Sequence, residues 1–217
     1  MRQLDILPPD KIVGVTVIGT GGVGSAICIF LAKMGVRRFV LYDGDVVQQH
    51  NISNQMFPRS SINKPKASVI ADEIGRFSPY PSCDIEANTR RFEDDSTLET
   101  NVVISALDDM DSRRVVWGCV KNDFTVDLYV DARMGGEVAK VYTVHPQNPD
   151  DVSLYEKSLV QGNYMVPCTA QAISYNVAMI ASMVCSNIRK FLTDIKTPRL
   201  LIGDSFNLDI RRIGGES

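Results

Sequence analysis

The sequence predicts an α/β fold: a doubly wound, mostly parallel sheet, with antiparallel strands added in the C-terminal half. Three observations carry this. A β-branched run breaks into a glycine-rich turn, and a helical segment and a second strand follow within about thirty residues, the β-α-β unit of a parallel sheet. Strand and helix patterns go on alternating to residue 122. Beyond it, two alternating apolar runs flank Met134-Gly135-Gly136, the mark of antiparallel strands joined by a tight turn.

Residues 11–18, with Val13, Val15, Val17 and Ile18, form the first strand, which ends in Gly19-Thr20-Gly21-Gly22-Val23-Gly24. Residues 25–34 place Ile27, Leu31 and Met34 at helical spacing, and Gly35 closes the helix. A strand over 38–42, a helix over 66–77, a buried strand over 102–106 and a helix over 112–122 follow. The two antiparallel strands occupy 128–144. Residues 146–164, with Asn148, Pro149, Asp150 and Asp151 near their start, read as a long loop. A long apolar-striped helix over 170–192 and a short strand pair within 198–213 complete the order. No repeat or linker divides the chain, so residues 1–217 read as one domain.

Composition narrows the function classes. Hydrophobic residues at 44% and charged residues at 23% exclude a disordered or fibrous chain. With 23 Lys+Arg against 26 Asp+Glu, the net charge of -3 offers no general attraction to nucleic acid or anionic membrane, so any anion site is local. The apolar runs 27–31 and 178–184 are far short of the roughly 18 to 20 residues that span a bilayer, and the first residues lack the apolar centre of a signal peptide. A cytoplasmic location is expected. Five cysteines without C-x-x-C spacing, Cys28, Cys83, Cys119, Cys168 and Cys185, read as reduced thiols rather than disulfides or a structural zinc site.

The chemistry concentrates around the glycine turn. Gly19, Gly21, Gly22 and Gly24 let the backbone turn tightly and approach a ligand, while the helix start offers free N–H groups to a phosphate. Asp43 ends the second strand, where a carboxylate accepts hydrogen bonds from ribose hydroxyls. The alternative is a tight structural turn beside a solvated strand-end acid. The polar stretch that follows, from His50-Asn51 through Asn54-Gln55 and Arg59 to Lys64 and Lys66, carries phosphate-binding residue types, and Lys66 opens a helix. Such a stretch has no use in a dehydrogenase but suits an enzyme that must neutralise a triphosphate. Asp108-Asp109 follow the strand over 102–106, so they lie at the carboxyl end of the sheet, where a carboxylate can hold Mg2+. Cys168 precedes the long helix, where a thiol gains nucleophilicity; the other reading is a small buried hydrophobe. Cys28 and Cys185 sit inside apolar helix patterns and read as core.

Taken together these residues resemble the ThiF, MoeB and ubiquitin-activating-enzyme superfamily of adenylyltransferases. The resemblance rests on Arg2-Gln3, the Gly19 to Gly24 turn, Asp43-Gly44-Asp45-Val46-Val47, Asn51 to Gln55, Asn63 to Lys66 and Leu107-Asp108. It implies ATP and Mg2+ as cofactors, with Asp43 on the ribose, Asn51 and Lys66 on the phosphates, Asp108 on Mg2+, and Arg2 reaching the partner's site in a homodimer. Asp45 and Gln55 are further carry-overs, and Cys168 resembles a cysteine that takes the activated carboxyl as a thioester. Asn54 stands where the family usually has an arginine, and paired C-x-x-C motifs found in many members are absent. The implied activity is adenylation of a carboxylate, most readily the C-terminal glycine of a ubiquitin-like or sulfur-carrier protein, with release of pyrophosphate. The rivals are a non-catalytic nucleotide-binding scaffold subunit of the same fold and an NAD-dependent oxidoreductase.

Overall fold

The computed structural model describes residues 5–8, 11, 13–160 and 173–214. Eight strands form one sheet in the order β3-β2-β1-β4-β5-β6-β7-β8. The strands are β1 (Val15–Ile18), β2 (Arg38–Tyr42), β3 (Asp84–Asn88), β4 (Val102–Ser105), β5 (Leu128–Gly135), β6 (Val138–Val144), β7 (Leu200–Asp204) and β8 (Asp209–Ile213). The first five run parallel, and β6, β7 and β8 are added antiparallel. This Rossmann-like arrangement confirms the expected fold class.

Helices α1 (Gly22–Met34), α2 (Lys66–Phe77) and α5 (Ser174–Leu192) contribute to the core on one face of the sheet, with α3 (Met110–Asn122) and α4 (Pro149–Val160) on the other. Alternate strand residues feed the two cores: Val15, Val17, Phe39, Leu41, Val102 and Ile104 enter the first, while Ile18, Val40, Tyr42, Val103 and Tyr129 enter the second with Trp117 and Tyr155. Burial on both faces explains why these strands read as continuous apolar runs. Gly35 ends α1 in the left-handed region at φ 104°, with its N–H and that of Val36 donating to Ala32 and Leu31 carbonyls.

Residues 146–164 were expected to be a loop, yet residues 149–160 form α4. Pro149 fits the first turn because its missing N–H would be unpaired there anyway, and the Asn148 side chain accepts from the Asp150 amide at 3.0 Å. The loop-like residues are thus a helix start, and Val152, Tyr155 and Leu159 continue it at helical spacing. Strand β3 was absent from the expected elements because its residues, Asp-Ile-Glu-Ala-Asn, lie at the sheet edge and half face water. Strand β1 is shorter than expected and α1 starts earlier, at Gly22.

Candidate nucleotide site

The strand order reverses between β1 and β4, and loops leaving neighbouring strands part there in opposite directions, opening a crevice at their carboxyl ends. The glycine turn after β1, Asp43 after β2 and Asp108 after β4 all lie at that end.

Three of the four glycines divide by cause. Gly19 has φ 87°, and a Cβ there would stand 2.6 Å from the Ala106 carbonyl oxygen. A Cβ on Gly24 would lie 1.9 Å from the Gly19 carbonyl oxygen. These two are required by backbone packing. Gly21 caps α1, and a Cβ there would meet nothing within 4 Å, so packing does not explain it. Open space before the free N–H groups of a thirteen-residue helix is the cradle a phosphate needs.

A chain of contacts leads outward from this turn. The Thr20 amide and hydroxyl donate to Asp43 Oδ2 at 2.7 and 2.9 Å, and the Asp45 amide donates to Asp43 Oδ1 at 2.9 Å. A carboxylate offers about four acceptor sites, so Oδ1 retains capacity for a ribose hydroxyl. Asp45 Oδ2 accepts from Lys66 Nζ at 2.9 Å, and the Asp45 carbonyl accepts from the Lys66 amide. The Val46–Pro65 bridge and the Val47 and Asn63 amide bonds zip these two loops together, which holds Lys66, itself 8% exposed, at the site.

Gly44, Asp45, Gln48, His50, Asn51 and Lys66 line a cavity of about 330 Å3 here. Asn51 is buried, and its Oδ1 accepts from the Gln48 amide to cap the 3-10 turn Gln49–Ser53. That oxygen is structurally committed. Gln55 Oε1 is buried with no hydrogen-bond partner among the described residues, an acceptor awaiting a donor. The Met56 amide donates to Ser25 Oγ, fastening this loop to α1.

Asp108 is exposed and makes no hydrogen bond or ion pair among the described residues. Its neighbour Asp109 caps α3 by accepting from the Ser112 amide at 2.7 Å. Burial works against the Asp109 charge, but the Ser112 hydrogen bonds outweigh it and hold the carboxyl below its usual range. No group of three metal-ligating side chains occurs among the described residues. A donor set of one free carboxylate suits Mg2+, which keeps several waters and arrives with phosphate oxygens.

Arg2 and Cys168 lie outside the described residues. Cys28 and Cys185 are core, as expected; burial pushes both thiols up, that of Cys185 to about 12. Sequence reasoning missed Thr20, which holds Asp43, and a buried ionic network of Arg113, Asp131 and Arg133. A signal for the network was present: Asp131 and Arg133 interrupt an apolar strand two residues apart, hence on one face.

The ThiF family model matches residues 11–215. The chain belongs to the ThiF family. A Haemophilus influenzae molybdopterin-synthase adenylyltransferase is 26% identical over 91% of this chain and 83% of its own length. The sulfur carrier protein ThiS adenylyltransferase of Escherichia coli is 29% identical over 47% of this chain. A crystal structure of Escherichia coli MccB with ATP shares this ThiF chain's fold, with a TM-score of 0.72 at 16% identity over 95% of the chain. The ThiF chain spans 42% of the ThiS adenylyltransferase and 65% of MccB in these matches, less than two thirds of either.

Proposed function

We propose that this chain acts as a single domain over residues 1–217 that adenylates a carboxylate with ATP, the substrate being the C-terminal glycine of a ubiquitin-like or sulfur-carrier protein. The observation that carries this reading is Lys66: a lysine 8% exposed, held beside the Asp43–Asp45 loop at the carboxyl end of the sheet. Asp45, its partner, is exposed enough to be exchanged for a phosphate oxygen. The relatives named as adenylyltransferases and the ATP-bound MccB fold support it.

The Gly21 cradle would receive phosphate oxygens on backbone N–H groups, and Asp43 Oδ1 would orient the ribose. An oxygen of the substrate carboxylate, already ionised at pH 7, attacks the α-phosphorus; the bond to the bridging oxygen breaks and pyrophosphate leaves with that electron pair. No proton transfer is needed, so the residues act by position and charge. Lys66 offsets negative charge as it shifts to the leaving group. Mg2+ held by Asp108 would supply further neutralisation. Arg2 belongs to a homodimer in this reading, reaching the partner's site.

A second reading, a nucleotide-binding scaffold without turnover, is favoured by one residue: Asn54, uncharged where the family usually has arginine. Carrier-dependent exchange of labelled pyrophosphate into ATP separates the two. Exchange is expected. Nucleotide binding without exchange, in the presence of the carrier protein, would leave only the scaffold.

A further inference from the structure

Asp108 is flanked by anchored neighbours while its own carboxylate stays free. Two residues before it, the Ala106 amide donates to the Ile18 carbonyl of β1 at 2.9 Å. One residue after it, Asp109 caps α3. The residue immediately before it, Leu107, gives its carbonyl to Arg113 Nη2. Arg113 is 3% exposed, and its fork reaches three acceptors: the Leu107 carbonyl, the Ala132 carbonyl at 3.3 Å and Asp131 Oδ1.

Asp131, from which water is excluded, is fixed in turn. Its Oδ1 also accepts from Ser105 Oγ at 2.8 Å, and its Oδ2 accepts from Arg133 Nε at 2.6 Å and the Tyr155 hydroxyl at 3.0 Å. Burial opposes the Asp131 charge, but the Arg113 and Arg133 guanidiniums outweigh it and hold the carboxyl below the usual range. Arg133 lies over the Tyr142 ring at 4.4 Å and donates to Ser158. Two guanidiniums thus face one carboxylate under the carboxyl end of the sheet. In the Lys66–Asp45, Arg76–Glu73 and Arg199–Asp151 pairs, by contrast, one partner of each reaches solvent. A planar fork that spans three fixed acceptors cannot be replaced by the point charge of lysine.

Resting on the adenylation reading above, we propose that Arg113 is a positioning residue: through the Leu107 carbonyl it sets the peptide that carries Asp108, and Asp131 sets Arg113. Arg133 shares the network but makes no bond to Leu107, so it serves as the internal control.

The test titrates the full chain with Mn2+ and ATP, reading bound Mn2+ by the loss of its free paramagnetic signal, and repeats ATP binding with chelator. In Arg113→Lys, Mn2+ binding in the presence of ATP should weaken by about tenfold or more, the usual cost of losing an outer support of a metal ligand. ATP binding without metal should change less than about twofold, because neither the glycine turn nor Asp43 hydrogen-bonds to Arg113 or Asp131. Arg133→Lys should bind Mn2+ like the wild type. If Arg113→Lys fails to fold, the near-isosteric Asp131→Asn carries the test with the same expected loss. Wild-type Mn2+ binding in the folded variant, or an equal loss in Arg133→Lys, overturns the positioning role alone. Wild-type protein that binds ATP no better with Mn2+ than without would defeat the metal-nucleotide reading and this role with it.

Discussion

The Lys66–Asp45 pair and the Arg113–Asp131–Arg133 network lie at the same end of the sheet, yet the Asp45 side chain is 59% exposed and that of Asp131 is 0% exposed. Water screens the first pair, so it contributes little to folding, and under the proposed function its lysine would trade Asp45 for an arriving phosphate. Water cannot reach the second, where each charge depends on its partners and any loss leaves an uncompensated ion in a low dielectric. The exposed pair has the properties of a working part and the buried network those of a support. Ionic contacts at one end of the sheet therefore do different jobs according to solvent access.

Breaking each carboxylate tests this division most directly. Asp131→Ala should destabilise by about 3–5 kcal/mol in chemical denaturation, the cost of orphaning a buried charge, whereas Asp45→Ala should cost no more than about 1 kcal/mol. Similar losses in both would erase the distinction. Next in size, Lys66→Ala should slow pyrophosphate exchange by about 10² to 10³, typical of one preorganised electrostatic contact, with little change in melting temperature. Exchange near the wild-type rate would remove Lys66 from the chemistry.

The glycine turn divides in the same way. Gly24→Ala forces a Cβ to 1.9 Å from a carbonyl oxygen, and overpacking of that kind costs about 1–3 kcal/mol or more. Gly21→Ala meets open space, so stability should stay within about 0.5 kcal/mol while ATP affinity measured by calorimetry falls. Unchanged affinity would mean that the space before α1 is not the phosphate cradle. The smallest effect is a slope in acid. Asp131 has its folded value held below the unfolded one, so its contribution is complete above about pH 3.9 and is lost as pH falls through the lowered folded value. Acid denaturation of Asp131→Asn should show a shallower pH dependence in that window than the wild type.

Much of this was legible in the chain. The parallel order, the glycine turn, Asp43 and Lys66 at element ends, and the tight turn at Gly136 all follow from local patterns: β-branched runs, 3.6-residue spacing, and glycine where the backbone needs it. Strand β3 escaped because an edge strand buries too little to show an apolar run. Helix α4 escaped because Asn148-Pro149-Asp150 belongs equally to a turn and to a helix start, and only the packing of Tyr155 against Trp117 and Tyr129 selects the helix.

The sequence by itself determined which groups stand at the carboxyl end of the sheet, because strand ends and glycine turns are local features and parallel winding brings them to one side. Only the tertiary structure decided what each group does there. It set Thr20 on Asp43, committed the Asn51 oxygen to its own 3-10 turn and left Asp108 free between anchored neighbours. It also joined Arg113 of α3 to Asp131 of β5. The Thr20–Asp43 and Arg113–Asp131 pairings depend on distances between separate elements of the chain, and burial then determines whether a charge is fixed or available.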